Sequence, residues 1–453
     1  MRRTLLIFAA ALASVAAAFW FQLRPAVQIR PLPPPPAASA GALRMQALLE
    51  RQYFPDDRRS TAYLQIDLVA GGDAAAQSHR VPVNAVLILD RSGSMSGVKI
   101  ERARDAARAL VQALGPGDRL SIVEFSSGAS VLLRSTPVDS VARSRALSAI
   151  EELEAMGGTN LGAAFEAAGP QLELGRGEGR VDKVFLASDG QANEGVADRG
   201  GLLKMARRVF GTATLSTFGI GNDYDEDLMA SLAAQGGGRA RYVDSPEILP
   251  GAFRAELGRA AALVARNVRV RVAGLSGASV ERVVGYEGDG GWVRIPDFAA
   301  GEERRVVAKL VIPPGSGVAD VAAVDLAFEN AAGQPQVARV LSRATFTADA
   351  TLLGQPATQA AATGAAAEMA ELAQQAAQSQ GRGDRRRARM QLDGIRRLAM
   401  QAVQAAPMSA AAIVPAADEY ERLVKDIDAP GDGPSKKLNE KAFDAVRAPV
   451  GGW

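Results

Sequence analysis

A chain of 453 residues is too long for one hydrophobic core, and at about 150 residues per domain it implies two or three folded units. Its 47% hydrophobic and 23% charged residues are the proportions of a folded protein, so disorder must be local. With 52 Lys plus Arg against 50 Asp plus Glu, the net charge of +2 lacks the positive field that nucleic-acid binding needs, which excludes DNA and RNA as partners. There is no cysteine, hence no disulfide, thiol nucleophile, iron–sulfur cluster or cysteine-linked lipid. A single histidine, His79, cannot build a zinc site or a histidine-based triad by itself, so any metal must be held by oxygen.

Residues 1–23 read as a signal peptide or membrane anchor. Arg2 and Arg3 precede an uncharged run from Thr4 to Leu23, which as a helix would span about 30 Å, the thickness of a bilayer core. Ala16, Ala17 and Ala18 would suit a signal peptidase, whereas the length of the run and the Phe19, Trp20, Phe21 cluster favour an uncleaved anchor. Either reading places the body at the cell envelope, anchored to the inner membrane or exported to the periplasm. Residues 24–42, with Pro31, Pro33, Pro34, Pro35 and Pro36, form a stiff polyproline-type linker. In 43–80 a short helix is expected from Leu43 to Arg51. Leu64, Ile66 and Leu68 then alternate with Tyr63, Gln65 and Asp67, as in a strand with one wet face.

From 81 to 264 short apolar runs alternate with amphipathic segments, the pattern of a doubly wound parallel sheet. Strands are expected at Val83 to Leu89, Leu120 to Phe125, Val131 to Leu133, Val184 to Ala187, Leu215 to Ile220 and Arg241 to Val243. Helices are expected at Lys99 to Leu114, Arg143 to Leu153, Leu161 to Leu172, Leu202 to Phe210, Glu226 to Ala234 and Pro250 to Val264. Over 265–350 the helical period stops. Val268, Val270 and Val272 alternate with polar residues, and further strand-like runs at Arg304 to Ile312, Val321 to Phe328 and Val337 to Phe346 indicate a β-sandwich. The strand near Tyr63 would join this sandwich, leaving the α/β unit as an insert. Residues 351–429 are rich in Ala, Gln and Arg and read as helices, with Leu392, Ile395, Ala399 and Ala402 on one face, and Tyr420, Leu423, Val424 and Ile427 further on. Arg382, Gly383 and Asp384 suit a turn between two of them, the run Arg385, Arg386, Arg387 reads as a solvated face, and 430–453 as a loose tail.

The chemistry concentrates where the first strand of the α/β unit runs into Asp90, Arg91, Ser92, Gly93, Ser94. In an open parallel sheet the carboxyl ends of the strands form the ligand crevice, so this D-x-S-x-S turn aims one carboxylate and two hydroxyls at one point. Such hard oxygen donors suit magnesium or manganese. Taken alone the motif is weak, since roughly one chain in ten of this length holds it by chance. Two further donors lie in loops that would sit beside it, Thr159 in Gly157, Gly158, Thr159, Asn160, and Asp189 directly after the strand ending at Ala187.

These five positions resemble the metal-ion-dependent adhesion site (MIDAS) of von Willebrand factor type A (VWA) domains, D-x-S-x-S, then Thr, then Asp. The resemblance extends through Asp118 to Phe125 and Gly219 to Tyr224, covering most of 81–255. The flanking strands and trailing helices look like the bacterial branch similar to inter-α-trypsin-inhibitor heavy chains. The resemblance implies that Ser92 and Ser94 bind a Mg²⁺ or Mn²⁺ ion directly, Thr159 directly or through water, and Asp90 and Asp189 largely through water. It also implies a non-enzymatic role, in which a protein partner offers an Asp or Glu to the ion.

Other readings compete. Asp90 and the serines could simply cap the next helix. Asp223, Asp225 and Asp227 alternate like a calcium loop, yet Leu228 and Ala234 stand where that loop needs Gly and Glu, so capping of the helix after them explains these acids better. Gly219 and Gly221 form a lone G-x-G without support for nucleotide binding. A magnesium-dependent phosphatase would need a second carboxylate where Ser92 stands. A scaffold assembling through the helical tail is the remaining alternative.

Overall fold

The computed structural model describes residues 36–71, 81–177, 179–189, 191–221, 224–243, 251, 255–259, 262–286, 290–381, 384–405, 414, 417–418 and 422. The anchor segment, His79, Asp223, the turn at Arg382 and Gly383, the stretch from Leu423 and the tail after 430 lie outside them.

The chain opens with β1 (Ala37–Ala40), β2 (Leu43–Leu49), β3 (Tyr53–Pro55) and β4 (Ser60–Ala70). The helix expected from Leu43 to Arg51 is therefore a strand. Leu43, Met45, Ala47 and Leu49 are buried and the residues between them are not, a period of two that pairing with β4 enforces.

The α/β unit follows as β5 (Val83–Asp90), α1 (Val98–Ala113), β6 (Arg119–Phe125), β7 (Ala129–Pro137), α2 (Ser140–Glu151), α3 (Leu161–Gly175), β8 (Val181–Ser188), α4 (Arg199–Phe210), β9 (Thr214–Ile220), α5 (Glu226–Gln235) and β10 (Gly237–Val243). The sheet order is β10-β9-β8-β5-β6-β7, parallel except for the edge strand β7. All eight residues of β5 are buried because helices cover both faces. Val83, Ala85, Leu87 and Leu89 pack with α1 and α2, while Val86 and Ile88 pack with α3, α4 and α5. Side chains at the N-caps set where four helices begin: Asp139, Asn160, Asp198 and Asp225 each accept a backbone N–H from three residues on.

The second half contains β11 (Leu263–Gly274), β12 (Ser279–Val283), β13 (Trp292–Arg294), β14 (Phe298–Ala299), β15 (Glu303–Ile312), β16 (Gly317–Asn330) and β17 (Pro335–Thr347). The last helix expected in the α/β unit thus overran, since Leu263 and Val264 already belong to β11. Two sheets, β1-β2-β4-β15-β12 and β13-β11-β16-β17-β3, share one core. The register of β4 against β15 runs unbroken from Ser60↔Ile312 to Val69↔Glu303.

After a short α6 (Ala350–Leu353) come α7 (Gln359–Gly381) and α8 (Arg385–Ala405), which pack on one another through Ala373, Ala376, Ile395 and Ala399. The polar face of β4 is not wet, because α7 lies across it. Tyr63 donates its hydroxyl to Glu368 Oε2 at 2.6 Å, and Arg282 Nη2 and Lys309 Nζ reach Glu368 Oε1 at 2.6 and 3.1 Å. Burial alone would push the Glu368 carboxyl up, but these hydrogen bonds and the Lys309 charge outweigh it and hold it down. Gly364 permits the close seat, since a Cβ there would lie 2.1 Å from Cγ of Tyr63.

Buried charges tie the α/β unit to the sandwich. Lys183 on β8 lies 4.0 Å from Glu256 and 3.6 Å from Asp297. Asp297 also accepts the Thr214 hydroxyl at 2.6 Å and the Asn267 N–H at 3.0 Å. Burial by itself would raise Glu256, yet Arg259, Lys183 and Arg239 hold it at about 2.

Two outcomes test this packing. Ala for Gly inside a helix ordinarily stabilises by up to about 1 kcal/mol. Gly364→Ala should instead cost about 1–3 kcal/mol in urea unfolding through overpacking against Tyr63. A depressed carboxyl contributes stability above its unfolded pKa and loses it as the pH falls through the folded one. The Glu256 contribution is therefore present above about 4.5 and lost towards 2, and Glu256→Gln should flatten the melting profile across that window.

Candidate metal centre

Asp90 ends the fully buried β5 between β6 and β8, so its side chain emerges at the carboxyl edge of the sheet while remaining 0% exposed. Its Oδ1 accepts the N–H of Ser92 at 2.8 Å and its Oδ2 accepts the hydroxyl of Ser188. The first bond turns the chain back on itself. A short 3₁₀ turn, Gly93–Met95, follows, anchored by the buried Met95, and it sets the Ser92 and Ser94 hydroxyl oxygens 3.0 Å apart.

The neighbouring loop is fastened to this turn by backbone bonds, Gly93 N–H to Gly157 O at 2.9 Å and Met156 N–H to Arg91 O at 2.7 Å. A Cβ on Gly93 would stand 3.2 Å from the Gly157 oxygen. Thr159, 2% exposed, sits just beyond; its N–H donates to Asn193 Oδ1 at 2.8 Å and its carbonyl accepts the N–H groups of Asn193 and Glu194. Asp189 follows β8 directly and is 0% exposed. Its Oδ2 receives Lys99 Nζ at 3.3 Å, and its carbonyl accepts the Asp225 N–H at 2.7 Å.

Hydrogen bonds thus join Asp90, Ser92 and Ser94, and Asp189 lies close enough for its charge to act on Asp90. Thr159 is brought to the same edge by its loop. The residue missed in the sequence is Lys99. Its spacing from Asp90 matches no metal-ligand pattern, and only the fold shows that the first turn of α1 faces Asp189.

Burial pushes the Asp90 carboxyl up to about 6; the Ser188 and Ser92 hydrogen bonds pull it back, and the Asp189 charge adds to the rise. This favours a neutral Asp90 or a nearby cation. The donors fit a small hard cation: oxygens adjacent on an octahedron at about 2.0–2.1 Å from its centre lie about 2.9–3.0 Å apart, the spacing of the two serine hydroxyls. No group of three or more His, Cys, Asp or Glu gathers among the described residues, so two carboxylates and hydroxyls make up this set.

Helix capping does not account for the motif. The N-cap of α1 is Gly97, at φ 72°, without a side-chain cap, and Ser92 makes no capping bond either. Asp225 does cap α5, accepting the Leu228 N–H at 2.9 Å. Both oxygens of Asp90 accept internal hydrogen bonds, which is unlike a carboxylate nucleophile facing a substrate.

All five residues fall within 85–191, the stretch matched by the von Willebrand factor type A domain profile. The chain carries a VWA domain. YfbK of Escherichia coli (strain K12) is 31% identical over 229 residues, 49% of this chain and 39% of that protein. Inter-alpha-trypsin inhibitor heavy chain H4 of Bos taurus is 31% identical over 180 residues, 37% of this chain and 19% of that protein. The chain thus spans less than half the length of the curated relatives it matches. The fold is shared more widely: a von Willebrand factor type A structure from Catenulispora acidiphila superposes with a TM-score of 0.67 at 19% identity, covering 92% of this chain and 98% of that one.

The raised Asp90 gives the VWA domain a pH signature when no metal is bound. A carboxyl with a folded pKa near 6 and an unfolded value near 3.8 binds more protons folded than unfolded between them, so stability falls as the pH rises through that window. Asp90→Asn keeps the Ser92 bond and can donate to Ser188. It should stabilise the chelated protein at pH 8 by about 1–3 kcal/mol and remove the fall between pH 4 and 6, read by thermal melts in EDTA.

Proposed function

We propose that this is a non-enzymatic, metal-dependent binding protein of the cell envelope, an adhesion or scaffold component that grips an acidic residue of a protein partner. Ser92, Ser94, Thr159, Asp90 and Asp189 would hold Mg²⁺, or Mn²⁺, as a MIDAS. The observation that carries this reading is the pair of serine hydroxyls 3.0 Å apart beside two fully buried carboxylates at the open edge of the sheet.

Each residue has a part that follows from its surroundings. The Ser92 and Ser94 oxygens are neutral donors, so they leave a divalent charge under-compensated. Asp90 fixes the turn that presents them and supplies negative charge from within the protein. Asp189 adds a second buried charge from the next strand, and Thr159 closes the adjoining side. When bound, the ion supplies a Lewis-acidic position for a carboxylate from outside.

The envelope location rests on the charge-free stretch from Thr4 to Leu23, through which the protein would meet the membrane. Among the described residues no helix is long and apolar enough to cross a membrane. Assembly through the helical tail is less favoured, because α7 is committed to the sheet of its own chain through Glu368.

Calorimetric titration with MgCl₂ tests the site. The wild type should bind, and Ser94→Ala should lose ~10-fold or more in affinity while keeping its melting temperature in EDTA. Capture of a partner from envelope extract should depend on Mg²⁺ and vanish with Ser94→Ala; Mg²⁺ binding and capture that are both indifferent to the substitution would refute the reading.

A further inference from the structure

Lys99 lies in the first turn of α1, with Nζ 3.3 Å from Oδ2 of Asp189. Its side chain is only 18% exposed and Asp189 is not exposed at all, so water screens this ion pair weakly. The two carboxylates are compensated differently. Asp90 is met by neutral donors, the Ser92 N–H and the Ser188 hydroxyl, whereas Asp189, besides a long contact of 3.4 Å from the Gln191 N–H to its Oδ1, is met at Oδ2 by an ammonium. Arg91, the cation within the serine turn itself, faces Glu124 at 2.8 Å.

We propose that Lys99 is a tethered cation that competes with the divalent ion at Asp189, lowering metal affinity and leaving the loaded site positively charged. This inference rests on the metal-binding reading above. If Lys99 keeps its place when the metal arrives, two positive centres share the buried Asp189; if it swings away, its ion pair is lost. Both routes weaken metal binding.

The charge balance gives the residue its use. Taken by themselves, Asp90, Asp189 and Lys99 carry one net negative charge, and a divalent ion among them reverses this to one net positive charge. An incoming carboxylate then neutralises the site. Without Lys99 the loaded site would already be neutral and would attract an acidic ligand less. Lys99 thus sacrifices hold on the metal for hold on the partner, and in the metal-free protein it keeps Asp189 compensated.

The experiment compares the full chain with Lys99→Gln, Lys99→Met and Lys99→Arg, using MgCl₂ titration by calorimetry and thermal melts in EDTA. The glutamine and methionine variants should bind Mg²⁺ ~10-fold more tightly than wild type. In EDTA they should melt lower, having lost the counter-charge of Asp189, and the arginine variant should stay near wild type in both. A residue that only positions the loop would weaken metal binding on removal. Wild-type binding with equal or weaker binding by both neutral variants overturns the inference alone; a wild type that takes up no Mg²⁺ overturns the metal reading and this inference together.

Discussion

Two buried carboxylates, Asp90 and Asp189, close enough to feel each other's charge, are the constraint around which the α/β unit is arranged. A parallel sheet covered on both faces offers a low-dielectric end where charge is costly. The protein meets this cost with a backbone N–H, a hydroxyl and a lysine, none of which withdraws the carboxylates from the edge. The bond from the Ser92 N–H to Asp90 also fixes the turn in which the serine hydroxyls meet. Electrostatic tension and geometry of the site are therefore one feature, and it is a feature that a small divalent cation would relieve.

Much of this was legible in the residues. Strands buried on both faces read as continuous apolar runs, so β5, β8 and β9 were found, and the acidic or amide N-caps agree with the helix starts. Asp90, Ser92, Ser94, Thr159 and Asp189 stood out as candidate donors because each follows a strand or sits in a loop, and the structure brings them to the same edge of the sheet. What escaped depends on contacts between distant segments. Leu43 to Leu49 has helix-forming residues, and only pairing with β4 makes it a strand. Tyr63, Gln65 and Asp67 looked solvent-facing, since nothing local announces that Glu368, some three hundred residues later, will take the Tyr63 hydroxyl or that Arg305 will meet Asp67. Lys99 escaped for the same reason: its role is set by where α1 begins relative to Asp189.

The sandwich is built from strands on either side of the α/β unit, with β4 paired to β15 along its whole length. The folding of the outer layer thus needs segments separated by the entire insert, and loop closure across an already folded unit costs less than across a flexible one. The cluster of Lys183, Glu256 and Asp297 lies where the two meet. Its charges are buried, so it resists sliding between the layers more than it adds net stability.

The direction of β5 has a mechanical corollary. The strand enters at Val83, on the side where Arg266 of the sandwich reaches the Arg180 carbonyl at 2.8 Å, and leaves at Asp90 at the opposite end. A pull exerted on the rim would run lengthwise down the central strand. It would load the hydrogen bonds to β6 and β8 in shear, all at once, instead of peeling them one after another.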